Sequence, residues 1–206
     1  MTGFPGLYTR RSALALAVGA AALVSAGPAA ALDAGAARTF VEEVVVELRR
    51  LVDNKLDGPD GAAEFLTLLE RRASLTAVGK FAVGRSWREM SDTQQADYQT
   101  AFRSYISRTY QNRFGEYAGE DIDVTGAVDA GRKGVLVTSV LKRPGAASVA
   151  VEWLVSDRSG ETRLSDILFE GVSLAITLRE TFGGMIDKRN GDVDRFIKDL
   201  AASDGA

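Results

Sequence analysis

The chain contains no cysteine and no histidine among its 206 residues. Without cysteine there is no disulfide, no thiolate nucleophile, no thiolate metal site and no lipoprotein anchor. Without histidine the side chain that titrates nearest neutral pH is missing, so imidazole triads and HExxH metal sites are excluded. An excess of positive charge is also absent. The net charge is −3, which gives no general basic surface for nucleic acid. What is present is ordinary for a globular domain, with 46% apolar and 26% charged residues. The length suffices for one domain with a real core.

Residues 1–31 read as a targeting segment that is removed. Arg10 and Arg11 are their only charges, and they precede an apolar run, Ala13 to Val24, that is short for a bilayer span. Pro28 and Ala29-Ala30-Ala31 then offer an A-x-A cleavage site. Cleavage after Ala31 removes both arginines and takes the net charge from −3 to −5. The flank Thr9-Arg10-Arg11-Ser12 is twin-arginine-like, although the bulky apolar residue and lysine that usually follow are missing, and the general secretory route stays open. The expectation is export, with residues 32–206 forming one domain in the periplasm.

Apolar periodicity lays out that domain. Arg38 to Val52 places Phe40, Val41, Val44, Val45, Leu48, Leu51 and Val52 at helical spacing. Asp57 to Gly61 is a turn cluster, and Ala62 to Ala73 is a second helix. Leu75 to Trp87 predicts a short helix that Gly84 ends. Ser91 to Tyr117 is the longest helix, opened by a Ser91–Gln94 capping box. Along it Tyr98, Phe102, Tyr105, Ile106, Tyr110, Phe114 and Tyr117 form an aromatic stripe, which builds either core or the wall of a ligand cavity. Arg103, Arg108 and Arg113 spread around this helix and read as solvated charge.

Strands follow at Asp121 to Val128, Lys133 to Leu141 and Ser148 to Ser156, joined by short turns. In the third, Val149, Val151, Trp153 and Val155 share one face. The stretch Arg163 to Leu178 organises the rest. It starts as a fourth strand, breaks at Glu170-Gly171, and returns at helical spacing with Val172, Leu174, Ala175 and Leu178, with Ser173 as cap. Asp192 to Ala202 is a last helix. The fold class is α+β: helices against a four-stranded antiparallel meander.

Three segments carry a family resemblance: residues 82–120, the VEWLV strand at 151–155, and DILFEGVSLAITLRETF at 166–182. Their most specific pieces are Gly84-Arg85-x-Trp87 and Asp166-x-x-x-Glu170-Gly171-Val172-Ser173. In this order, behind a secretion signal, the chain resembles the MlaC or toluene-tolerance family from roughly Phe40 to Leu200. A sister group of that family is associated with hopanoids. The resemblance implies an NTF2-like fold whose helices wrap a curved sheet around an apolar cavity. It implies a periplasmic carrier that encloses phospholipid tails. It also implies shuttling between an outer-membrane lipoprotein complex and an inner-membrane ABC transporter, maintaining outer-membrane lipid asymmetry.

Elementary energetics agree. Two acyl chains of about 16 carbons, at about 0.8 kcal/mol per CH₂, cost on the order of 20 kcal/mol to expose to water. No cofactor and no metal is expected, with phospholipid as cargo. Candidate cavity walls are Phe81, Trp87, Phe102, Tyr105, Ile106, Tyr110, Val135, Val137, Val151, Trp153, Ile167, Phe169 and Val172. Arg85, Asp166, Glu170 and Gly171 are candidates for the cavity mouth or its turn. The carboxylates Asp166 and Glu170 are read as capping or pairing across the turn, with Arg85 as one partner. Competing readings are a non-catalytic adaptor, or an isomerase using Asp166 as base and Tyr105 or Tyr110 as donor.

Overall fold

Chain order sets the sheet order. The computed structural model describes residues 32–53, 58–114 and 121–203. Four strands pair in an antiparallel meander: β1 (Asp121–Asp129), β2 (Val135–Lys142), β3 (Val149–Ser156) and β4 (Arg163–Phe169). A fifth, β5 (Val172–Ser173), folds back onto Leu168 and Phe169. Among the described residues the sheet thus has five strands where the sequence pattern predicts four. Glu170 and Gly171 both take positive φ (49° and 77°), the tight two-residue turn whose twist suits a hairpin. The returning strand is two residues long, too short to show an alternation of its own.

Register assigns the faces. Val135 lies opposite Val155, Val137 opposite Trp153, and Ser139 opposite Val151. Trp153 in turn faces Ile167, and Val151 faces Phe169. One face therefore carries a continuous apolar band, as the alternation in β2 and β3 predicts. Bulges near Thr125 and Ser165 bend the two outer strands of this ladder.

Among the described residues seven α-helices accompany the sheet: α1 (Ala34–Asp53), α2 (Gly58–Arg72), α3 (Leu75–Val83), α4 (Ser86–Glu89), α5 (Asp92–Phe114), α6 (Leu174–Asp187) and α7 (Val193–Ala202). Helix α2 begins inside the predicted turn cluster. Pro59 falls in its first turn, where a missing N–H is no loss. The capping box forms as expected: Ser91 N–H donates to Gln94 Oε1 (2.9 Å) and Gln94 N–H to Ser91 Oγ (3.2 Å).

The apolar interior is divided. Helix α1 lays Ala37, Val41, Val44 and Val45 on the sheet, against Val135, Val137, Leu141, Val151, Trp153, Val155 and Leu164. Helices α3, α5, α6 and α7 make a second cluster around Tyr98, Phe102, Phe182, Phe196 and Leu200, each fully buried. Ala73 borders both clusters. It bridges to Leu164, and Ser74 N–H donates to the Leu164 carbonyl (2.8 Å), so the α2–α3 link seals part of the β4 edge.

Candidate functional site

The inner face of the sheet is hydrocarbon with its polar groups already satisfied. Trp153 Nε1–H donates to Ser139 Oγ (2.9 Å), and that hydroxyl donates to the Val151 carbonyl (2.9 Å). Both side chains are buried, so the indole and the hydroxyl use each other and leave nothing unpaired. The predicted wall residues Val135, Val137, Val151 and Trp153 all lie here. Ile167 and Phe169 continue the same face on β4 and are half-buried at its margin, as are Phe40 and Leu48 on α1.

Phe102, Tyr105 and Ile106 sit in the helical cluster instead. Their rings are close-packed: Phe102 and Tyr105 meet Phe182 edge-on at 6.1 and 5.3 Å, and Tyr98 stacks on Phe196 at 6.0 Å. Burial pushes the Tyr98 hydroxyl pKa up, and the hydroxyl donates to the Gly79 carbonyl (2.8 Å). Trp87 is half-buried with its edge toward Tyr98. Phe182 and Phe196 centre this cluster. Phe196 is marked by the periodicity of the last helix, whereas nothing local marks Phe182. The Tyr110 and Phe114 side chains, and Tyr117, lie outside the described residues.

Ala73 is where the two clusters touch. Half-buried Leu66, Leu69 and Val78 pack against the helical cluster, and half-buried Phe40, Leu48, Ile167 and Phe169 pack against the sheet cluster. A charged clamp spans α1 and α2 beside this seam. Arg71 (2.9 Å) and Arg72 (3.1 Å through Nε) both donate to Glu47, and Arg72 also meets Glu43 at 3.0 Å and lies over the Phe40 ring. Burial alone would raise the Glu47 carboxyl. The Arg72 and Arg71 hydrogen bonds and charges outweigh it and hold the pKa below the usual 4.5.

The turn residues have structural partners. Asp166 Oδ1 accepts from the N–H groups of Ile167 (2.9 Å) and Ala175 (3.0 Å), and Oδ2 accepts from the Ser173 hydroxyl. Ser173 Oγ accepts from Ile176 N–H (3.1 Å), so the two residues jointly cap α6. Glu170 Oε1 accepts from Ala150 N–H (2.6 Å), while Glu170 N–H donates to the Ala150 carbonyl. Gly171 supplies the second positive φ of the turn.

Arg85 is not a partner of Asp166 or Glu170. It stands exposed, 4.0 Å from Glu89. The cation that reaches this end of the helical layer is Arg179, which donates to the Phe81 carbonyl (3.3 Å) and lies over the Phe81 ring. Phe81 and Val172 stand on the surface, 43% and 62% exposed. Arg108, expected in solvent, forks onto the C-terminal carbonyls of α7 at Leu200 (3.3 Å), Ala201 (2.9 Å) and Ser203 (3.1 Å). Arg103 is likewise engaged, with Glu70 (3.3 Å) and Thr76 (3.2 Å), and Arg113 lies outside the described side chains.

A hollow of about 270 Å³ opens at the far end of the sheet, lined by Leu32, Asp129, Gly131, Arg132, Gly134, Asp157 and Arg158. Its rim is charged and its volume falls below the roughly 300–1,000 Å³ of ordinary ligand sites, so it does not suit hydrocarbon tails. Among the described residues no group of carboxylates is placed to hold a metal ion, and no helix is long and apolar enough to cross a membrane.

Comparison with known proteins places this architecture. No curated protein matches the chain. Among solved structures it is similar to a phospholipid-binding protein from Ralstonia solanacearum, solved in complex with a phospholipid. The TM-score is 0.66 at 23% identity, over 81% of this chain and 97% of that one, which shows a shared fold. The family model described as MlaC protein matches residues 40–202. The chain belongs to the MlaC family.

Proposed function

We propose that this protein is a non-catalytic carrier that holds a phospholipid by its acyl chains. The observation that carries the reading is the divided interior. Two apolar clusters share Ala73, and each is edged by aliphatic and aromatic side chains that are only half-buried, among them Leu66, Leu69 and Val78 on one and Phe40, Leu48, Ile167 and Phe169 on the other. Hydrocarbon tails lying along this seam would complete their burial. Two tails shielded there are worth on the order of 20 kcal/mol gross, enough to hold a lipid that water rejects. The Ser139–Trp153 pair satisfies its own polar groups, so the sheet side of the interior stays apolar in character. The phospholipid in the Ralstonia solanacearum structure supports the choice of cargo.

The wider reading follows the family resemblance. Residues 1–31 direct export and are removed after Ala31, by a twin-arginine or general secretory route. The mature carrier works in the periplasm, exchanging lipid between an outer-membrane lipoprotein complex and an inner-membrane ABC transporter. A hopanoid or another lipid is the alternative cargo. An isomerase reading loses its base, because both oxygens of Asp166 are engaged in capping α6 and its neighbours.

Lipid extraction of the purified mature protein, followed by mass spectrometry, tests the proposal. A phospholipid present in near-equimolar amount is expected. Extracts no richer in lipid than those of an unrelated protein purified in parallel would reject it, and a hopanoid would replace the cargo.

A further inference from the structure

We infer that the surface where α3 ends and α6 begins docks on the face of a bilayer that carries anionic phospholipid. This deepens the carrier reading, and rests on it, by naming the surface that meets the membrane.

Three exposed apolar side chains lie on the elements that meet there. Phe81 lies in the last turn of α3, Val172 follows the β4–β5 turn, and Ile176, 52% exposed, lies one helical turn before Arg179. Arg179 ties the elements together by stacking on Phe81 at 5.0 Å. Beside it, Lys80 lies over the Trp87 ring at 5.0 Å. Cations resting on aromatic faces put positive charge directly above hydrocarbon. That is the layering of a bilayer interface, where phosphates overlie acyl chains, and aromatic rings with arginine or lysine are the side chains that settle there.

Exposed cations outnumber exposed carboxylates at this end, four to three. Lys80, Arg85, Arg88 and Arg179 occupy this end in a chain whose net charge is −3. The carboxylates nearby are Glu89, Glu170, Glu180 and Asp166, the last half-buried and engaged by the Ile167 and Ala175 N–H groups and the Ser173 hydroxyl. Glu170 is held by Ala150 N–H, and Glu89 lies 4.0 Å from Arg85. A protein partner that docks by strand addition is the lesser fit, since among the described residues the strand edge at this surface is the two residues of β5.

Docking and lipid release are separate events, so vesicle association without lipid transfer is compatible with the inference. The test is co-sedimentation of the mature protein with vesicles of phosphatidylcholine alone or of phosphatidylcholine and phosphatidylglycerol in equal parts. Binding to the phosphatidylglycerol vesicles is expected, falling as salt rises. Arg179→Gln is expected to weaken it roughly fivefold. The double substitution Phe81→Ser, Ile176→Ser is expected to weaken it about tenfold or more. Val172→Ser, exposed on β5 just after the turn, gives an apolar loss that does not touch the helices. Val128→Ser, equally exposed on β1, should leave binding unchanged.

Absence of wild-type binding to either vesicle overturns the inference. So does equal binding by wild type and by the Val172→Ser and Phe81→Ser, Ile176→Ser variants. Loss of lipid delivery to a membrane protein complex in patch variants, without any vesicle binding, would assign the surface to a protein. The lipid extract reports on the carrier reading independently, because cargo can co-purify whether or not the protein sediments with vesicles.

Discussion

Arg179 fills the space that a side chain on Gly84 would need. A Cβ built on Gly84 lies 2.9 Å from Arg179 Nη2, and Gly84 has φ +55°. The first glycine of Gly84-Arg85-x-Trp87 therefore serves two ends. It lets α3 stop, and it lets a guanidinium from α6 settle on the carbonyl end of that helix, where a cation is favoured by the helix dipole.

Gly84→Ala is expected to cost about 1–2 kcal/mol in urea or thermal unfolding, mostly from the positive φ, since the guanidinium is flexible enough to yield. In Arg179→Ala background the steric part vanishes and the backbone part remains. An unshifted midpoint in Gly84→Ala would contradict this account.

Gly134 predicts a larger effect. Its φ is +111°, and a Cβ there would lie 2.1 Å from the Val155 carbonyl oxygen, which is backbone in the sheet and unable to move aside. Gly134→Ala should lose about 3 kcal/mol or more, read as a drop in melting temperature or as failure to accumulate folded protein. Gly145→Ala, with positive φ and open space around it, is the comparison and should lose markedly less.

Removing one partner of the buried Ser139–Trp153 bond strands the other. Ser139→Ala leaves the indole N–H without an acceptor and should destabilise by about 1–3 kcal/mol. Adding Trp153→Phe removes the stranded donor, so the double variant should lose less than the sum of the two single changes. Additive losses in a double-mutant cycle would show that the pair is not coupled.

The Glu47 clamp predicts an acid dependence. Its folded pKa lies below the usual 4.5, so the clamp stabilises fully above that value and fades as pH falls through the lower folded one. The stability gap between wild type and Glu47→Gln should therefore be widest near neutral pH and narrow below about pH 4. A gap that stays constant from neutral pH down to acid would remove Glu47 as the titrating group.

Asp166 is expected to matter for folding rather than chemistry. Asp166→Ala frees the Ala175 N–H and the Ser173 hydroxyl at the start of α6, costing about 2 kcal/mol, with lipid still found in extracts of the folded fraction. Loss of cargo from fully folded Asp166→Ala would move this residue from the scaffold into the binding site.

Much of this was legible in the residues themselves. The Ser91–Gln94 box, the alternation of Val149, Val151, Trp153 and Val155, and the Ser173 cap are local patterns, and local geometry produces them. The strand β5 was not legible, because two residues carry no period. Arg108 read as solvated charge because its helix supplies no partner; the partners are the last carbonyls of α7, more than 90 residues on. Arg85 was an expected partner for the turn's carboxylates, yet it stays beside Glu89, and those carboxylates are satisfied by the Ala150, Ile167 and Ala175 N–H groups and the Ser173 hydroxyl; the cation that crosses between helices is Arg179, 98 positions from its acceptor at Phe81.

The sequence alone determined which functions were closed to this chain and which faces of its helices and strands are apolar. Absent side chains exclude chemistry wherever the chain goes, and periods of two and 3.6 are properties of a single element. Only the tertiary structure decided how those faces share the interior. Whether two apolar stripes merge into one core or meet along a seam at Ala73 depends on where α1 and the α5–α7 layer come to rest against the sheet. That placement is set by contacts between residues far apart in the chain, which no local pattern encodes.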